Sequence, residues 1–275
     1  MNQNIPFQSD SHNLSLAIDA VKKAGKQLIE FHSLDYKIET KLDKEPVTEA
    51  DLASDKIIHE LLSLSEFPVL SEESFDDHKS FVKENKIWIV DPLDGTADFI
   101  NKTGEFTIMI SLISNHVPEI GIIYSPVNDM LFVGEKDHGA FKLTDNKWAK
   151  LVTSDITDLQ NCRVVGSRHH LSQNEKEFLD YLNIKNFKTM GSSLKVANIA
   201  QGWSEFYFTV TDKMKQWDTA ASFCIINEAG GSMTDIFGNK LYYNTEKINH
   251  ENGILVSNGA IHSKVIEEYK KFSEN

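Results

Sequence analysis

Two carboxylates that follow an apolar run near residue 90 are the side chains in this chain best suited to chemistry. Residues 91–96 read Asp-Pro-Leu-Asp-Gly-Thr and come directly after the apolar residues 87–90. Acidic side chains at the end of a buried strand are the oxygen ligands that Mg²⁺ requires. Gly95 lets the backbone approach a ligand closely, and Thr96 can begin a helix whose free N–H groups face a phosphate. The segment therefore predicts a metal site beside an anion-binding helix end.

Three further acidic positions lie at the ends of predicted elements. Asp51 lies near a helix start, Glu72 and Glu73 follow a short strand, and Asp218 lies in the segment Gln-Trp-Asp-Thr-Ala-Ala. Each alone is also typical of a helix cap or a surface acid, because acidic side chains are favoured near helix N-termini. The pair after residue 90 differs, since the apolar run before it predicts burial, where an unpaired charge is costly. A bound cation would offset that cost.

Together these acids suit the hydrolysis of a phosphate ester. Water must become a nucleophile at neutral pH, and the charge on the phosphoryl oxygens must be neutralised. Two divalent ions about 4 Å apart can supply both functions. Mg²⁺ usually keeps several waters, so roughly three to five carboxylates can hold two or three ions. Without metal such carboxylates repel one another, and we expect metal affinity to fall as the pH falls.

Two other segments are candidates for substrate binding. Residues 191–195 place small residues before a helix, with Lys195 in its first turn, and could hold a second anion; a helix start with a solvated lysine fits equally well. Arg168, His169 and His170 follow a strand and could contact substrate or form a hydrated loop. The chain has no Cys/His array typical of zinc, no glycine-rich nucleotide loop and no Gly-x-Ser-x-Gly elbow.

Composition narrows the class of partner. The chain has 275 residues, of which 40% are hydrophobic, and a formal net charge of −13. That charge argues against binding a nucleic-acid polymer, but a small anionic phosphate ester remains compatible if bound cations invert the local field. No apolar run is long enough for a transmembrane helix. Cys162 and Cys224 are predicted to be buried free thiols in a reducing cytoplasm, with peripheral association with the inner membrane left open.

The elements that must position these residues follow from hydrophobic periodicity and turn signals. Helices are predicted near residues 14–31, 49–64, 173–182, 193–201, 217–228 and 260–272. Strands are predicted near residues 36–40, 68–70, 87–90, 106–113, 119–124, 130–135, 140–143, 163–167, 187–190, 205–209 and 254–257. We expect a flexible N-terminal tail (1–12) and a single unit of two tightly packed αβ lobes (13–275). The first lobe (13–150) would bind metal and the second (151–275) would face the substrate.

Three of these motifs, in this order, resemble the signatures of the inositol monophosphatase superfamily, which comprises lithium-sensitive, Mg²⁺-dependent phosphatases. They are the acidic pair Glu72-Glu73, the segment 91–96, and Trp217-Asp218 followed by small residues. The similarity extends over roughly residues 37–258. Within the superfamily, the 3′(2′),5′-bisphosphate nucleotidase branch of sulfur metabolism is the most similar, on the segments 46–51, 69–73, 104–107 and 191–195.

The resemblance implies an α/β (α+β) protein with a layered αβαβα sugar-phosphatase-like fold. It implies removal of the 3′-phosphate of adenosine 3′,5′-bisphosphate (PAP) to give AMP and phosphate, with the sulfated form (PAPS) as an open alternative. It implies two or three Mg²⁺ ions held by Glu72, Asp91, the carbonyl of Leu93, Asp94 and Asp218. The implied catalytic residues are Asp51, Thr96 and Glu72. The implied substrate-binding residues are Asp94, Gly95, Thr96, His170, Ser193, Lys195 and Asp218.

One departure from the pattern concerns the second phosphate. Some relatives carry an arginine shortly before the Trp-Asp pair, where this chain has Lys213 and Lys215, and either lysine could replace it. Two rival functions stay open: an inositol monophosphatase or another sugar phosphatase of the same fold, and a non-catalytic sensor of metal and nucleotide. No metal ligand of the pattern is missing, which disfavours the sensor. A monomer and a homodimer are both compatible with the sequence.

Overall fold

The structure is a computed structural model that describes residues 6–7, 11–33, 38–40, 46–75 and 78–274. Its helices and strands, in chain order, are α1 (Ser11–His32), β1 (Ile38–Thr40), β2 (Pro46–Thr48), α2 (Glu49–Leu62), β3 (Val69–Ser71), α3 (His78–Phe81), β4 (Lys86–Asp94), α4 (Thr96–Ile100), β5 (Thr107–Ser114), β6 (Val117–Ser125), β7 (Met130–Glu135), β8 (Gly139–Thr144), β9 (Lys147–Lys150), β10 (Arg163–Ser167), α5 (Gln173–Tyr181), β11 (Asn186–Met190), α6 (Leu194–Ala200), β12 (Phe206–Thr209), α7 (Gln216–Glu228), β13 (Ser232–Thr234), β14 (Ile254–Ser257) and α8 (His262–Ser273).

Two large sheets organise the fold. The first has seven strands in the order β3-β4-β5-β6-β7-β8-β9, in which β3 runs parallel to β4 and the other pairs are antiparallel. The second has five strands in the order β11-β10-β12-β14-β13. Strands β1 and β2 form a separate antiparallel pair. All strands before residue 150 that join a large sheet belong to the first, and those after it belong to the second.

Helices fill the layers between and outside the sheets. Helices α1 and α2 pack on one face of the seven-stranded sheet, and α6 and α7 lie between the two sheets. Helices α5 and α8 contact each other, and both add side chains to the core on the outer face of the five-stranded sheet. This order is αβαβα, as the resemblance implied.

Strand β4 shows how the sequence produces the layers. Successive side chains of a strand point to opposite faces of its sheet. Accordingly, Ile87 and Ile89 enter the core around α6 and α7, whereas Trp88 and Val90 enter the core beneath α1 and α2. A continuous apolar run at residues 87–90 is therefore the signature of a strand covered by helices on both faces.

Helix α7 lies directly on the seven-stranded sheet because two glycines leave room for it. A Cβ at Gly121 of β6 would lie 2.8 Å from the Cβ of Cys224, and one at Gly134 of β7 would lie 2.8 Å from the Cα of Ile225. We expect Gly134→Ala to lower the free energy of unfolding by about 1–3 kcal/mol, because the nearest atoms are helix backbone that cannot give way locally. Urea unfolding checks this, and wild-type stability of the variant would contradict the close approach.

Several predicted boundaries were wrong. Strand β4 runs through Asp94, so the acidic pair lies within the strand and not after it. Helix α2 ends at Leu62, two residues early. Helix α1 begins at Ser11, and Phe7 is buried with its ring centroid 5.1 Å from that of Phe141. Most of the tail predicted at residues 1–12 lies outside the described residues.

Short elements were missed, namely β2, β9, β13 and the one-turn helix α3. Each of these segments has only three or four residues and no apolar run that would mark it. Strand β13 exists because it pairs with β14. The first two residues of the strand predicted at 36–40 lie outside the described residues. Cys162 and Cys224 are buried free thiols, as predicted. Among the helices that the structure describes, none is both long and apolar enough to cross a membrane.

His262, at the start of α8, makes the stability of the fold depend on pH. Its Nδ1 lies 2.8 Å from the Ser257 hydroxyl and its Nε2 lies 2.9 Å from the Thr234 hydroxyl. Burial lowers the pKa of His262 from 6.5 to about 4. Between these values the unfolded chain binds the proton and the folded chain does not, so stability falls as the pH falls from 6.5 towards 4.

The wild-type protein should lose unfolding free energy when the pH falls from 7 to 5. We expect His262→Gln to lose about 2 kcal/mol less over the same interval. Urea unfolding at both pH values measures that loss. The exposed His138 gives a matched control, because His138→Gln should leave the loss as it is in the wild type. An equal loss in His262→Gln and the wild type would contradict the assignment.

Candidate active site

A β-bulge in β4 turns both carboxylates of the acidic pair towards the same pocket. Asp91 pairs with Met109 of β5 and Asp94 pairs with Thr107, so three steps along β4 oppose two along β5. In a regular strand, side chains three residues apart point to opposite faces, and the extra residue corrects this. Asp91 is 2% exposed, and its Oδ1 accepts the N–H of Leu93 at 3.1 Å.

Gly95 and Thr96 follow at the start of α4. Gly95 has φ 92°, and a Cβ there would lie 3.2 Å from the Cβ of Ser192, so both conformation and space favour glycine. The Thr96 hydroxyl can donate to Asp51 Oδ1, at 3.2 Å, or to the carbonyl of Leu93, at 3.3 Å. Asp51 lies in the first turn of α2 and is 2% exposed. The hydroxyl thus links a buried carboxylate of one helix to the first residue of another.

Asp94 joins the two lobes. Its Oδ2 accepts the backbone N–H of Ser193 at 2.5 Å and the Thr107 hydroxyl at 3.1 Å. The Thr107 and Ser193 hydroxyls lie 2.7 Å apart, which closes the network. Ser193 precedes α6, so this one carboxylate fixes the loop of residues 191–193 against β4.

Asp218 comes from the opposite side of the pocket, in the first turn of α7. Its Oδ2 accepts the backbone N–H of Lys215 at 2.7 Å, in a capping arrangement that fixes the carboxylate. The predicted strand-end acids and this helix-start acid therefore face one another across the boundary between the sheets.

The acids at the pocket repel one another. Burial raises the pKa of Asp91 well above its usual value, and the negative charges of three neighbouring acids raise it further; these are Glu72, Asp94 and Asp218. Burial, and then the charge of Glu72, likewise raises the pKa of Asp218. A divalent cation among these groups would remove both the repulsion and part of the cost of burial.

Lys195 supplies a buried ammonium group near the acids. Its Nζ donates to the carbonyl of Ser192 at 2.6 Å and lies 5.2 Å from the centroid of the Tyr207 ring. Burial lowers the pKa of Lys195, and the charges of Asp94 and Asp98 act in the opposite direction. This lysine can therefore contact an anion with little competition from water.

One cavity of about 260 Å³ collects the predicted site. The predicted residues that line it are Glu72, Asp91, Leu93, Asp94, Gly95, Thr96, His170, Ser193, Lys195 and Asp218. Asp51 is the one predicted site residue outside this lining, and it meets the site through the Thr96 hydroxyl. Lys213 and Lys215 line the cavity as well, on the loop that leads into α7.

Sequence reasoning missed other lining residues. They include Asp98, Tyr207, Thr209, Thr211 and Ser222. His169 lines the cavity too, whereas only His170 of that loop was assigned to substrate. Asp98 lies two residues after Thr96 in α4, and Tyr207 lies within β12. Nothing in the sequence distinguishes these positions from other residues of a helix or a strand. Only their place in the assembled sheets brings them to the cavity.

The donor set fits a hard cation such as Mg²⁺, because it consists of carboxylates and a backbone carbonyl. Over the described part of the chain, no three or more His, Cys, Asp or Glu side chains are arranged so that they could hold a metal ion by themselves. An ion here would therefore take several ligands from water or from a phosphate. Mg²⁺ usually binds in this way, with one or two carboxylates and several waters.

Comparison with known proteins identifies the family of this chain. The sequence profile of the Inositol monophosphatase family matches residues 10–274. A protein of Buchnera aphidicola named 3′(2′),5′-bisphosphate nucleotidase CysQ is 37% identical over 205 residues, which are 74% of this chain and 76% of that protein. The CysQ of Aggregatibacter actinomycetemcomitans is 32% identical over 240 residues, 85% of this chain and 88% of that one.

A solved structure shows the same architecture. The crystal structure of CysQ from Bacteroides thetaiotaomicron, described as a bacterial member of the inositol monophosphatase family, matches with a TM-score of 0.76 and 31% sequence identity. The match covers 90% of this chain and 97% of that one. Membership of this family generally implies dependence on a divalent metal. Since the profile covers nearly the whole sequence, this protein belongs to the inositol monophosphatase family.

Proposed function

We propose that this protein is a Mg²⁺-dependent phosphomonoesterase that removes the 3′-phosphate of adenosine 3′,5′-bisphosphate to give AMP and phosphate. The observation that carries the proposal is the hydrogen bond between Thr96 and Asp51 at the edge of a cavity lined by five acids. The names of the CysQ relatives, at 29–37% identity, support the choice of substrate. PAPS is a further substrate of the same kind in this proposal.

The proposed metal ligands hold roughly two or three Mg²⁺ ions. They are Glu72, Asp91, the carbonyl of Leu93, Asp94 and Asp218. Bound ions would supply charge neutralisation at the phosphoryl oxygens and a lower pKa for water.

The chain's own residues handle the proton of the attacking water in this proposal. Because the Thr96 hydroxyl donates to Asp51, its oxygen can accept a hydrogen bond from that water. Asp51 then acts as general base through the Thr96 hydroxyl, and Glu72 is the third proposed catalytic residue. The Gly95 and Thr96 amides would hold the phosphate that is cleaved.

The same cavity would hold the nucleotide. Lys195, Ser193 and His170 are the proposed contacts, together with Lys213 or Lys215 for the second phosphate. The cavity lining contains these three lysines as well as the proposed metal ligands, which suits a substrate with two phosphates.

The proposal treats residues 13–275 as one phosphatase unit, monomeric or homodimeric and lithium-sensitive. One core cluster contains side chains from both large sheets, which supports a single unit. Two buried free thiols support a reducing, cytoplasmic location.

Metal binding has a test that does not depend on activity. We expect Mg²⁺ to raise the Tm of the wild-type protein, because a ligand that binds only the folded chain adds about 2.7 kcal/mol at one hundred times its Kd. Asp91→Asn should reduce that rise, whereas Asp180→Asn, at an exposed helix position, should keep it. Thermal unfolding over a Mg²⁺ series measures it. An equal rise in the wild type and Asp91→Asn would contradict the assignment of Asp91.

Product analysis tests the proposed reaction. We expect incubation of adenosine 3′,5′-bisphosphate with the protein and Mg²⁺ to give AMP and phosphate. Formation of adenosine 3′-phosphate would contradict the proposed position of cleavage. Tight nucleotide binding with no phosphate release would support the sensor instead.

A further inference from the structure

A buried carboxylate beside the cavity has no role in the proposed reaction. Asp98 of α4 is 1% exposed. Its Oδ1 accepts the Thr103 hydroxyl at 2.7 Å, and its Oδ2 lies 3.1 Å from Nε2 of His169. Asp98 and His169 belong to different lobes, and both line the cavity. The carboxylate therefore fixes an imidazole from the opposite lobe at the cavity wall.

Arg168 belongs to the same network but is not among the residues that line the cavity. Its Nε lies 3.4 Å from Asp98 Oδ1, and its Nη2 lies 2.5 Å from Glu105 Oε2. The same Glu105 oxygen accepts the backbone N–H of Gly191 at 2.6 Å. The guanidinium of Arg168 therefore lies between the carboxylates of Asp98 and Glu105. The cavity lining next to it is formed by the rings of His169 and His170.

The Asp98 contact also determines what His169 can offer a ligand. When the ring is neutral and its Nε2 donates to the carboxylate, the lone pair lies on Nδ1, which can then accept a hydrogen bond. The ring of His170 lies close by, with its centroid 6.3 Å from that of His169 and an interplanar angle of 69°. The rings of His169 and His170 therefore form this part of the cavity wall, and the contact with Asp98 orients the ring of His169.

The chemistry of this wall differs from that of the rest of the cavity. The cavity's lysines come from α6 and from the loop before α7, that is Lys195, Lys213 and Lys215. Those ammonium groups suit phosphate. Aromatic rings and a ring acceptor suit a planar base, which stacks on rings and can donate from an exocyclic amino group.

We propose that His169, held by Asp98, contacts the base of the nucleotide and is a specificity-determining residue; this rests on the proposed function. Asp98 is then a positioning residue, because it acts on the substrate only through His169. The role adds to the contact proposed for His170.

Kinetics with the nucleotide and with a base-free ligand test the proposal. We expect His169→Ala to raise the KM for adenosine 3′,5′-bisphosphate about tenfold, the loss of one base–ring contact, with kcat within about twofold of the wild type. The inhibition constant of inorganic phosphate should stay within about twofold, since phosphate has no base. His138→Ala, which removes an exposed histidine, should change neither value. An unchanged KM in His169→Ala, or an equal rise in both values, would overturn the proposal.

The role of Asp98 is tested by coupling. Asp98→Asn should raise the same KM, and the double variant Asp98→Asn/His169→Ala should have the KM of His169→Ala alone, because both changes remove one contact. Calorimetric titration with AMP should show the same pattern in Kd. Additive losses would mean that Asp98 acts independently of His169 and would overturn the positioning role.

Two kinds of failure can be told apart. A wild-type protein that neither hydrolyses adenosine 3′,5′-bisphosphate nor binds AMP overturns the proposed function, and the base contact with it. A wild-type protein that does both, with a His169→Ala variant that matches it in KM and in Kd for AMP, overturns the base contact alone.

Discussion

Asp91→Asn is expected to lower phosphate release from adenosine 3′,5′-bisphosphate at least ~10³-fold, because losing a central metal ligand removes several kcal/mol of charge stabilisation. The fold should persist. Asn can still accept the N–H of Leu93 through its Oδ1, the bond that holds this turn of β4. Phosphate release in saturating Mg²⁺ measures the loss, and Asp180→Asn is the matched control at an exposed position.

The same variant has an expected stability effect with a definite sign. Burial and neighbouring acids raise the pKa of Asp91 in the folded chain, so the folded state holds the proton to higher pH than the unfolded state does. Ionisation of Asp91 therefore lowers stability as the pH rises above about 4. Without metal, Asp91→Asn should be at least as stable as the wild type at pH 7. Full activity in Mg²⁺, or global unfolding of the variant, would contradict this account of Asp91.

Thr96→Val should lower kcat by about 10²- to 10⁴-fold, the usual contribution of a positioned acid–base group. Valine keeps the shape of the side chain but removes the hydroxyl that links the attacking water to Asp51. Thr96→Ser, which restores the hydroxyl, should recover most of the rate. Steady-state kinetics with adenosine 3′,5′-bisphosphate and Mg²⁺ measure both variants.

A thermal measurement separates this role from metal binding. Because the Thr96 side chain is not among the proposed metal ligands, Thr96→Val should keep the rise in Tm that Mg²⁺ gives the wild type. Loss of that rise would assign the residue to the metal instead. A kcat in Thr96→Val within about threefold of the wild type would remove the hydroxyl from the proposed reaction altogether.

The long elements could be predicted from local patterns, whereas their αβαβα order followed from the family resemblance. The apolar spacing of the first helix and the continuous apolar run at residues 87–90 were both recognised as signs of a helix and a buried strand. The acids at the ends of predicted elements pointed to one site because of where those elements meet. Strand ends and helix starts of neighbouring layers meet at the same edge.

The remaining features depend on tertiary contacts that leave little trace in the sequence. The bulge between Asp91 and Asp94 is defined by the register of β5, and spacing along β4 alone would place the two side chains on opposite faces. The contact between His169 and Asp98 joins residues about seventy positions apart in the chain, which no local pattern reveals. Phe7 is buried because its ring packs against the rings of Phe141 and Trp148.

The ratio of kcat/KM for adenosine 3′,5′-bisphosphate to kcat/KM for inositol 1-phosphate, both in saturating Mg²⁺, tests the central claim most directly. Both substrates would use the same acids and the same Thr96 hydroxyl, so the ratio reports on the lysines and histidines that line the cavity. The account predicts a ratio well above one. A ratio below one would contradict it and would assign the protein to the inositol monophosphatase activity of the same fold.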